Sequence, residues 1–177
     1  MQPQKIVLIG GPSTGKSTLI EALTHLKYQC LPEISREVTR KAKEDGFDQL
    51  FLSDPLRFSE LLLEGRISQF KAAQTLSTKY VFIDRGIPDI TAYMDHFKQD
   101  YPKNFTEANS KYIYDKVFIL PIWKSIYTKD DERFEAFELA KELQDALIAT
   151  YTKLGYNLIE VPKDNVKNRV EFILSHL

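Results

Sequence analysis

The sequence predicts an α/β fold built on a parallel sheet. Two observations carry the prediction. Short apolar runs of β type alternate along the chain with longer segments of helical periodicity, the pattern of βαβ units. The first run leads directly into a glycine-rich loop, Gly10-Gly11-Pro12-Ser13-Thr14-Gly15-Lys16-Ser17, placed where a strand hands over to a helix.

The strand runs are Lys5–Ile9, Tyr28–Leu31, Tyr80–Ile83, Val117–Leu120 and Asn157–Val161. They lack apolar/polar alternation, as strands covered on both faces should. The first helix begins inside the glycine loop and reaches about Leu26, with Leu19, Ile20, Leu23 and Leu26 at helical spacing. A second spans Ile34–Glu44. A third starts at Asp54-Pro55, an N-cap followed by a residue suited to the first turn, and runs toward Leu76 across a weakening Gly65. Another follows Pro88, with Ile90, Tyr93, Met94 and Phe97 on one face. The longest begins near Asp131 and ends at Gly155, with a core stripe of Ala136, Leu139, Ala140, Leu143, Leu147 and Leu154. Val166–Leu177 forms the last helix, and Gln99–Ser110 reads as a loop with at most one helical turn.

At 177 residues the chain suits one domain, 1–177, and hardly two. Hydrophobic residues at 43% and charged residues at 28% give a soluble, globular profile. A formal charge of −1 and the lack of a basic stripe beside the aromatics exclude a global attraction to nucleic acid or anionic membranes. No apolar run approaches the roughly 20 residues of a spanning helix, and the start MQPQKIVLIGG is too short in apolar residues for a secretory signal. The single cysteine, Cys30, reads as a buried thiol on a strand and allows no intrachain disulfide. These features point to the cytoplasm.

The glycine loop matches G-x-x-x-x-G-K-[ST] in full, with a strand before it and a helix after it. The spacing has a physical cause. The glycines let the loop wrap so that successive N–H groups face phosphate oxygens, and the helix beneath adds its positive end. Lys16 reaches the β- and γ-phosphates, and the Ser17 hydroxyl ligates Mg²⁺. The expected phosphate-binding set is Gly11, Pro12, Ser13, Thr14, Gly15, Lys16, Ser17 and Thr18.

A second signal is Tyr80-Val81-Phe82-Ile83-Asp84-Arg85-Gly86, an apolar strand ending in an acid. Beside a P-loop, such an acid is the metal-side carboxylate, so Asp84 is expected to serve Mg²⁺. Arg85 projects at the same rim, where it either holds a phosphate bidentately or forms a structural ion pair. Glu33, in Leu31-Pro32-Glu33-Ile34-Ser35-Arg36, also lies at a strand C-terminus. Two roles stand for it: proton acceptor for an acceptor hydroxyl, or an ordinary helix-start acid. The charged segment 127–133 is either a flap carrying Lys129 or Arg133 to the phosphates, within a lid over 121–135, or a solvated helix start. Thr128-Lys129-Asp130-Asp131 imitates a guanine-reading pattern but lies too far from its strand to serve as one. The histidines, His25, His96 and His176, have no ligand spacing.

GGPSTGKSTLIEAL, LPEISREV, VFIDRGIPDITAY, VFILPIW, DDERFEAFELAKELQDAL and LGYNLIEVP occur in a recognisable order. The chain resembles a small AAA-labelled family of P-loop proteins that are kinase-like. That family is similar to the kinase part of bifunctional nicotinamide-ribose enzymes and, more distantly, to deoxynucleoside kinases. The resemblance implies a three-layer α/β/α fold with a five-stranded parallel sheet of order 2-3-1-4-5. It also implies that Glu33 corresponds to a carboxylate after the second strand, and Asp84-Arg85 to an acid-arginine pair after the third. It places Arg133 among lid arginines, with Phe134 where a second arginine often stands. Val161-Pro162-Lys163-Asp164 is similar to an adenine-side loop, which adds Pro162 to the nucleotide set.

The leading expectation is an ATP·Mg²⁺-dependent phosphotransferase acting on a small polar acceptor, a nucleoside or nucleotide. Lys16, Glu33, Asp84, Arg85 and Arg133 are its expected catalytic residues, and Ser17 and Asp84 its metal side. The acceptor is expected between Glu33 and the helix bearing Arg66, Gln69 and Phe70, where Phe70 either stacks on a base or packs in the core. The rival is a regulatory switch that binds and slowly hydrolyses ATP or GTP.

Overall fold

The computed structural model describes residues 2–123 and 137–177. Five strands, β1 (Gln4–Ile9), β2 (Gln29–Leu31), β3 (Tyr80–Asp84), β4 (Lys116–Ile119) and β5 (Leu158–Glu160), form one sheet in the order β2-β3-β1-β4-β5. Every pairing is parallel. All five C-terminal strand ends therefore share one rim, where ligands bind in open α/β sheets.

Helices cover both faces. In β1, Val7 and Ile9 enter one core with Val81, Ile83, Val117, Ile119, Leu147 and Tyr151. Ile6 and Leu8 enter the opposite core with Leu19, Leu23, Phe82, Phe118, Val170 and Ile173. This two-sided burial is why the strands read as continuous apolar runs. A third cluster joins Val38, Leu62, Leu63, Ile87, Ile90, Met94 and Phe105 beside the main sheet.

The helices are α1 (Lys16–His25), α2 (Ser35–Glu44), α3 (Leu50–Ser53), α4 (Pro55–Thr75), α5 (Pro88–His96), α6 (Asn104–Lys111), α7 (Phe137–Lys153) and α8 (Val166–Ser175). Asp54 caps α4 by accepting the Arg57 N–H at 3.0 Å, with Pro55 in the first turn. The helix continues unbroken through Gly65. That glycine is a notch: a Cβ there would lie 2.7 Å from Ile34 Cγ2. Its absence lets the start of α2 lie against α4, which brings Glu33 toward the helix that carries Arg66.

Three expectations are corrected. Residues 104–111 form a helix, α6, because Phe105, Ala108 and Asn109 bury one face of an otherwise polar segment. Leu26 ends up exposed, since α1 stops at His25 and the chain turns away. Leu154 is exposed beyond the end of α7, whereas Tyr151 one turn earlier is fully buried. The expected helix start near Asp131, Ala136 and the greater part of the segment 121–135 lie outside the described residues. Among the described residues, no helix is long and apolar enough to cross a membrane.

Candidate active site

The glycine loop occupies the rim between β1 and α1. Gly15 stands at the N-cap with φ 86°, a left-handed conformation that glycine adopts without strain, and α1 starts at the next residue. Lys16 is buried and folded back over the loop. Its Nζ donates to Gly10 O at 2.9 Å, Gly11 O at 2.8 Å and Thr14 Oγ1 at 3.2 Å. Thr14 Oγ1 donates in turn to Gly11 O at 3.0 Å. Pro12 is buried, while Ser17 and Thr18 face solvent from the first turn of α1.

Two side chains missed in the sequence brace this loop. Gln144 of α7 accepts the Gly11 N–H at 2.7 Å and donates to Leu120 O at 3.1 Å. Arg169 of α8 donates to Thr14 O at 3.1 Å across 155 residues of sequence. Gln144 left a trace: it is a polar residue on the apolar stripe, one turn from Ala140 and from Leu147. Arg169 left none, because its partner is so distant in the chain.

Next to the loop stands a compact charged cluster. Asp84 closes β3 and is 3% exposed. Its Oδ1 has no hydrogen-bond partner among the described residues. Burial pushes its carboxyl up from the ordinary range; Lys16 and Arg85 oppose that, while Glu33 and Asp89 add to it. Glu33 lies two residues beyond the end of β2. Burial pushes its carboxyl up too, but Arg85, Lys16, the Ser35 hydroxyl and Arg66 outweigh burial and hold it at about 2. Ser35 Oγ donates to Glu33 Oε1 at 2.7 Å.

Arg85 joins the two acids. It has φ 68°, a left-handed conformation costly for a side chain of its size, on the order of 1–3 kcal/mol. Its Nε lies 2.8 Å from Glu33 Oε1. This approach is an ion pair rather than an aligned hydrogen bond, since the Nε–H finds no acceptor in line. NH1 donates to Asp89 Oδ2 at 3.3 Å and to Tyr93 Oη at 3.1 Å. Asp89 was also missed, although its place four residues after Arg85 at a helix start is a legible ion-pair spacing. Asp89 Oδ1 accepts from Gly86 N at 3.0 Å and Tyr151 Oη at 2.6 Å.

Gly86 is the hinge of this packing. A Cβ on it would lie 2.3 Å from Tyr151 Oη and 3.0 Å from Tyr114 Cε2. Gly86→Ala should therefore destabilise the fold by several kcal/mol, in the range of overpacked cores. Tyr151→Phe removes the clashing oxygen and should restore part of that loss in the double variant. Urea unfolding of the four proteins measures it, and additive effects would show that the Tyr151 contact is not the cause.

Arg66 of α4 donates to Gly86 O at 2.6 Å, and Gln69 Nε2 to Pro32 O at 2.5 Å. Phe70 is a core residue: it meets Tyr112 and Tyr114 edge-on at 5.3 and 5.4 Å and is 4% exposed. Pro162 is exposed just beyond β5, two residues before the Asp164–Asn165 start of α8. Arg133 and Lys129 lie outside the described residues. His96 pairs with Glu142 at 3.6 Å and His176 packs on Phe172, both away from the loop. Cys30 lies on β2 as expected but is only half-buried, and burial raises its thiol pKa.

A family model described as an AAA domain matches residues 5–169. The chain belongs to the AAA domain family. Among curated proteins no sequence matches it. Solved structures do resemble this AAA-domain chain in fold. Deoxyadenosine kinase from M. mycoides, with products dCMP and a flexible dCDP bound, superposes with a TM-score of 0.69 at 20% identity, covering 98% of each chain. Thymidylate kinase from Ehrlichia chaffeensis gives 0.64 at 16% identity over 99% of each chain. NadR protein in complex with NR gives 0.70 at 15% identity, covering 98% of this chain and 49% of that one. The fold is therefore the one these kinase structures share.

Proposed function

We propose that this chain transfers a phosphoryl group from Mg²⁺·ATP to a hydroxyl of an uncharged polar acceptor of nucleoside type. The carrying observation is the cluster of Lys16, Glu33, Asp84 and Arg85 at one rim, immediately beside a full P-loop. The triphosphate lies along Gly11–Thr18, with Pro162 on the base side.

The residues present suit Mg²⁺. A buried carboxylate oxygen without a hydrogen-bond partner, on Asp84, is what a cation or its bound water satisfies. Ser17 supplies an exposed hydroxyl at the helix start. Among the described residues no group of three or more His, Cys, Asp or Glu forms a cage. Mg²⁺ usually takes one or two carboxylates plus phosphate oxygens, so a single acid and a hydroxyl suffice. Bound there, the ion supplies neutralisation of charge on the β- and γ-phosphates.

Glu33 stays ionised at every physiological pH and accepts the acceptor O–H, aligning it for attack. A carboxylate held at about 2 is a weak base. Phosphoryl transfer through a loose transition state tolerates that, because the proton leaves late. Lys16 holds the β- and γ-phosphates. Arg85 keeps Glu33 in place and faces the developing charge, and Arg133 is assigned to the lid on the resemblance alone. The acceptor site is electrically balanced: Lys16, Arg66 and Arg85 stand against Glu33, Asp84 and Asp89. Arg85 Nε and NH1 are already committed to Glu33, Asp89 and Tyr93. This favours a neutral acceptor over a monophosphate, which would require unengaged guanidinium groups.

The test is ADP formation from Mg²⁺·ATP with pools of nucleosides and of nucleoside monophosphates. Nucleosides should raise ADP release and become phosphorylated. Asp84→Asn should lose more affinity for ATP with Mg²⁺ than without it. Acceptor-independent, slow hydrolysis alone would replace this reading by the regulatory switch.

A further inference from the structure

We propose that Gln144 is a positioning residue of the phosphate loop, acting on Lys16 through the Gly10–Gly11 peptide. The inference rests on the reading of this loop as the triphosphate site.

The geometry forms a continuous chain of contacts. Gln144 Nε2 donates to Leu120 O at 3.1 Å, at the end of β4. Gln144 Oε1 accepts the Gly11 N–H at 2.7 Å. That N–H shares its peptide plane with Gly10 O, which accepts from Lys16 Nζ at 2.9 Å, and the next carbonyl, Gly11 O, accepts from Lys16 Nζ at 2.8 Å and from Thr14 Oγ1 at 3.0 Å. The orientation of the Gln144 amide is forced, since a carbonyl faces one end and an N–H the other. Gln144 is buried, so water does not replace it freely.

Gly11 is also held by shape. A Cβ on it would lie 2.9 Å from Ala140 O and 3.5 Å from Gln144 Oε1. The backbone of α7 therefore lies directly against the loop, and one side chain of that helix sets which way the Gly10–Gly11 peptide faces. Gly10 packs similarly on β4, where a Cβ would lie 2.7 Å from Leu120 O. Gln144 thus ties β4, the loop and α7 together at one point. A hydrophobic side chain of similar length would fill the space and leave the Gly11 N–H and the Leu120 carbonyl without partners. The Gly10–Gly11 peptide plane would then turn, and Lys16 would lose the Gly10 carbonyl that accepts from its ammonium at 2.9 Å.

The test uses Gln144→Met, which keeps length and volume but removes both hydrogen bonds. Mg²⁺·ATP affinity is measured by calorimetry, stability by urea unfolding, and exchange of the Gly11 amide by NMR without nucleotide. Affinity of the folded variant should fall by roughly tenfold or more, with faster Gly11 exchange. Gln144→Asn, which keeps the amide but cannot span both partners, should behave alike and serves if the methionine variant does not fold. Unchanged affinity with lowered stability would make Gln144 purely structural and overturn the proposal. Unchanged Gly11 exchange would overturn it as well. A wild-type protein that binds neither ATP nor GTP would sink the reading of the loop itself, and the positioning role with it.

Discussion

Lys16→Ala should lower Mg²⁺·ATP affinity by about 10²–10⁴-fold, the worth of two charge-assisted hydrogen bonds to phosphate oxygens. The loss has two parts. The variant lacks the cation proposed to meet the β- and γ-phosphates. It also lacks the ammonium that occupies Gly10 O, Gly11 O and Thr14 Oγ1, so carbonyl dipoles in the loop lose their compensating charge. Both parts act on an anionic ligand in the same direction. The sheet should persist, because the two cores flanking β1 contain no contribution from this side chain. Calorimetry with Mg²⁺·ATP and far-ultraviolet circular dichroism check the two halves. Wild-type affinity in the variant would mean that the triphosphate binds elsewhere.

Glu33→Gln should cut transfer to the acceptor by about 10²–10⁴-fold, the usual size of a lost proton acceptor. ATP affinity should change little, since Glu33 is proposed to face the acceptor and not the triphosphate. The amide preserves shape and can still accept from Ser35, so only charge and proton affinity are removed. Single-turnover transfer at matched ATP occupancy measures the effect, and near-wild-type transfer would remove Glu33 from the mechanism. The same substitution carries a signature in acid. Glu33 ionises at about 2 in the folded protein against an ordinary 4.5. A depressed carboxyl stabilises the fold fully above its unfolded value, and that stability is lost as pH falls from about 4.5 toward 2. The difference corresponds to on the order of 3 kcal/mol. Asp84 works in the opposite sense, because a raised carboxyl binds its proton more readily when folded. Urea midpoints at pH 6 and pH 3 should therefore converge between wild type and Glu33→Gln as the solution is acidified.

Much of the fold was legible because its signals are local. A strand buried on both faces must be apolar along its length, and β1, β3 and β4 show that without reference to any neighbour. A loop that wraps phosphates must have glycines and a lysine at fixed spacing, so Gly10–Ser17 is readable from residues alone. The places of Asp84 and Glu33 were legible for a related reason: Asp84 ends β3, Glu33 lies two residues beyond β2, and parallel strands place their ends on one rim. The strand order was implied by resemblance to kinase-like relatives, and the sheet has that order.

What residues far apart do to one another was decided only in three dimensions. Whether Arg85 meets an acid depends on how close β2 comes to β3, and its Nε lies 2.8 Å from Glu33. That approach depends on Gly65, which looked like a weak point in a helix and is instead the notch that admits Ile34. Phe70 had two equal uses until Tyr112 and Tyr114 closed over it. Helix α6 escaped notice because only Phe105 and Ala108 of its buried face are apolar, and their burial in one cluster with residues of α4 and α5 organises it. Gln144 and Arg169 brace the loop from 133 and 155 residues away. By itself, the sequence determined the parallel α/β frame and the phosphate loop, because local spacing and apolarity encode them. Tertiary structure alone decided the pairing of Arg85 with Glu33 and the bracing by α7 and α8, because hydrogen bonds and charges act through space rather than along the chain.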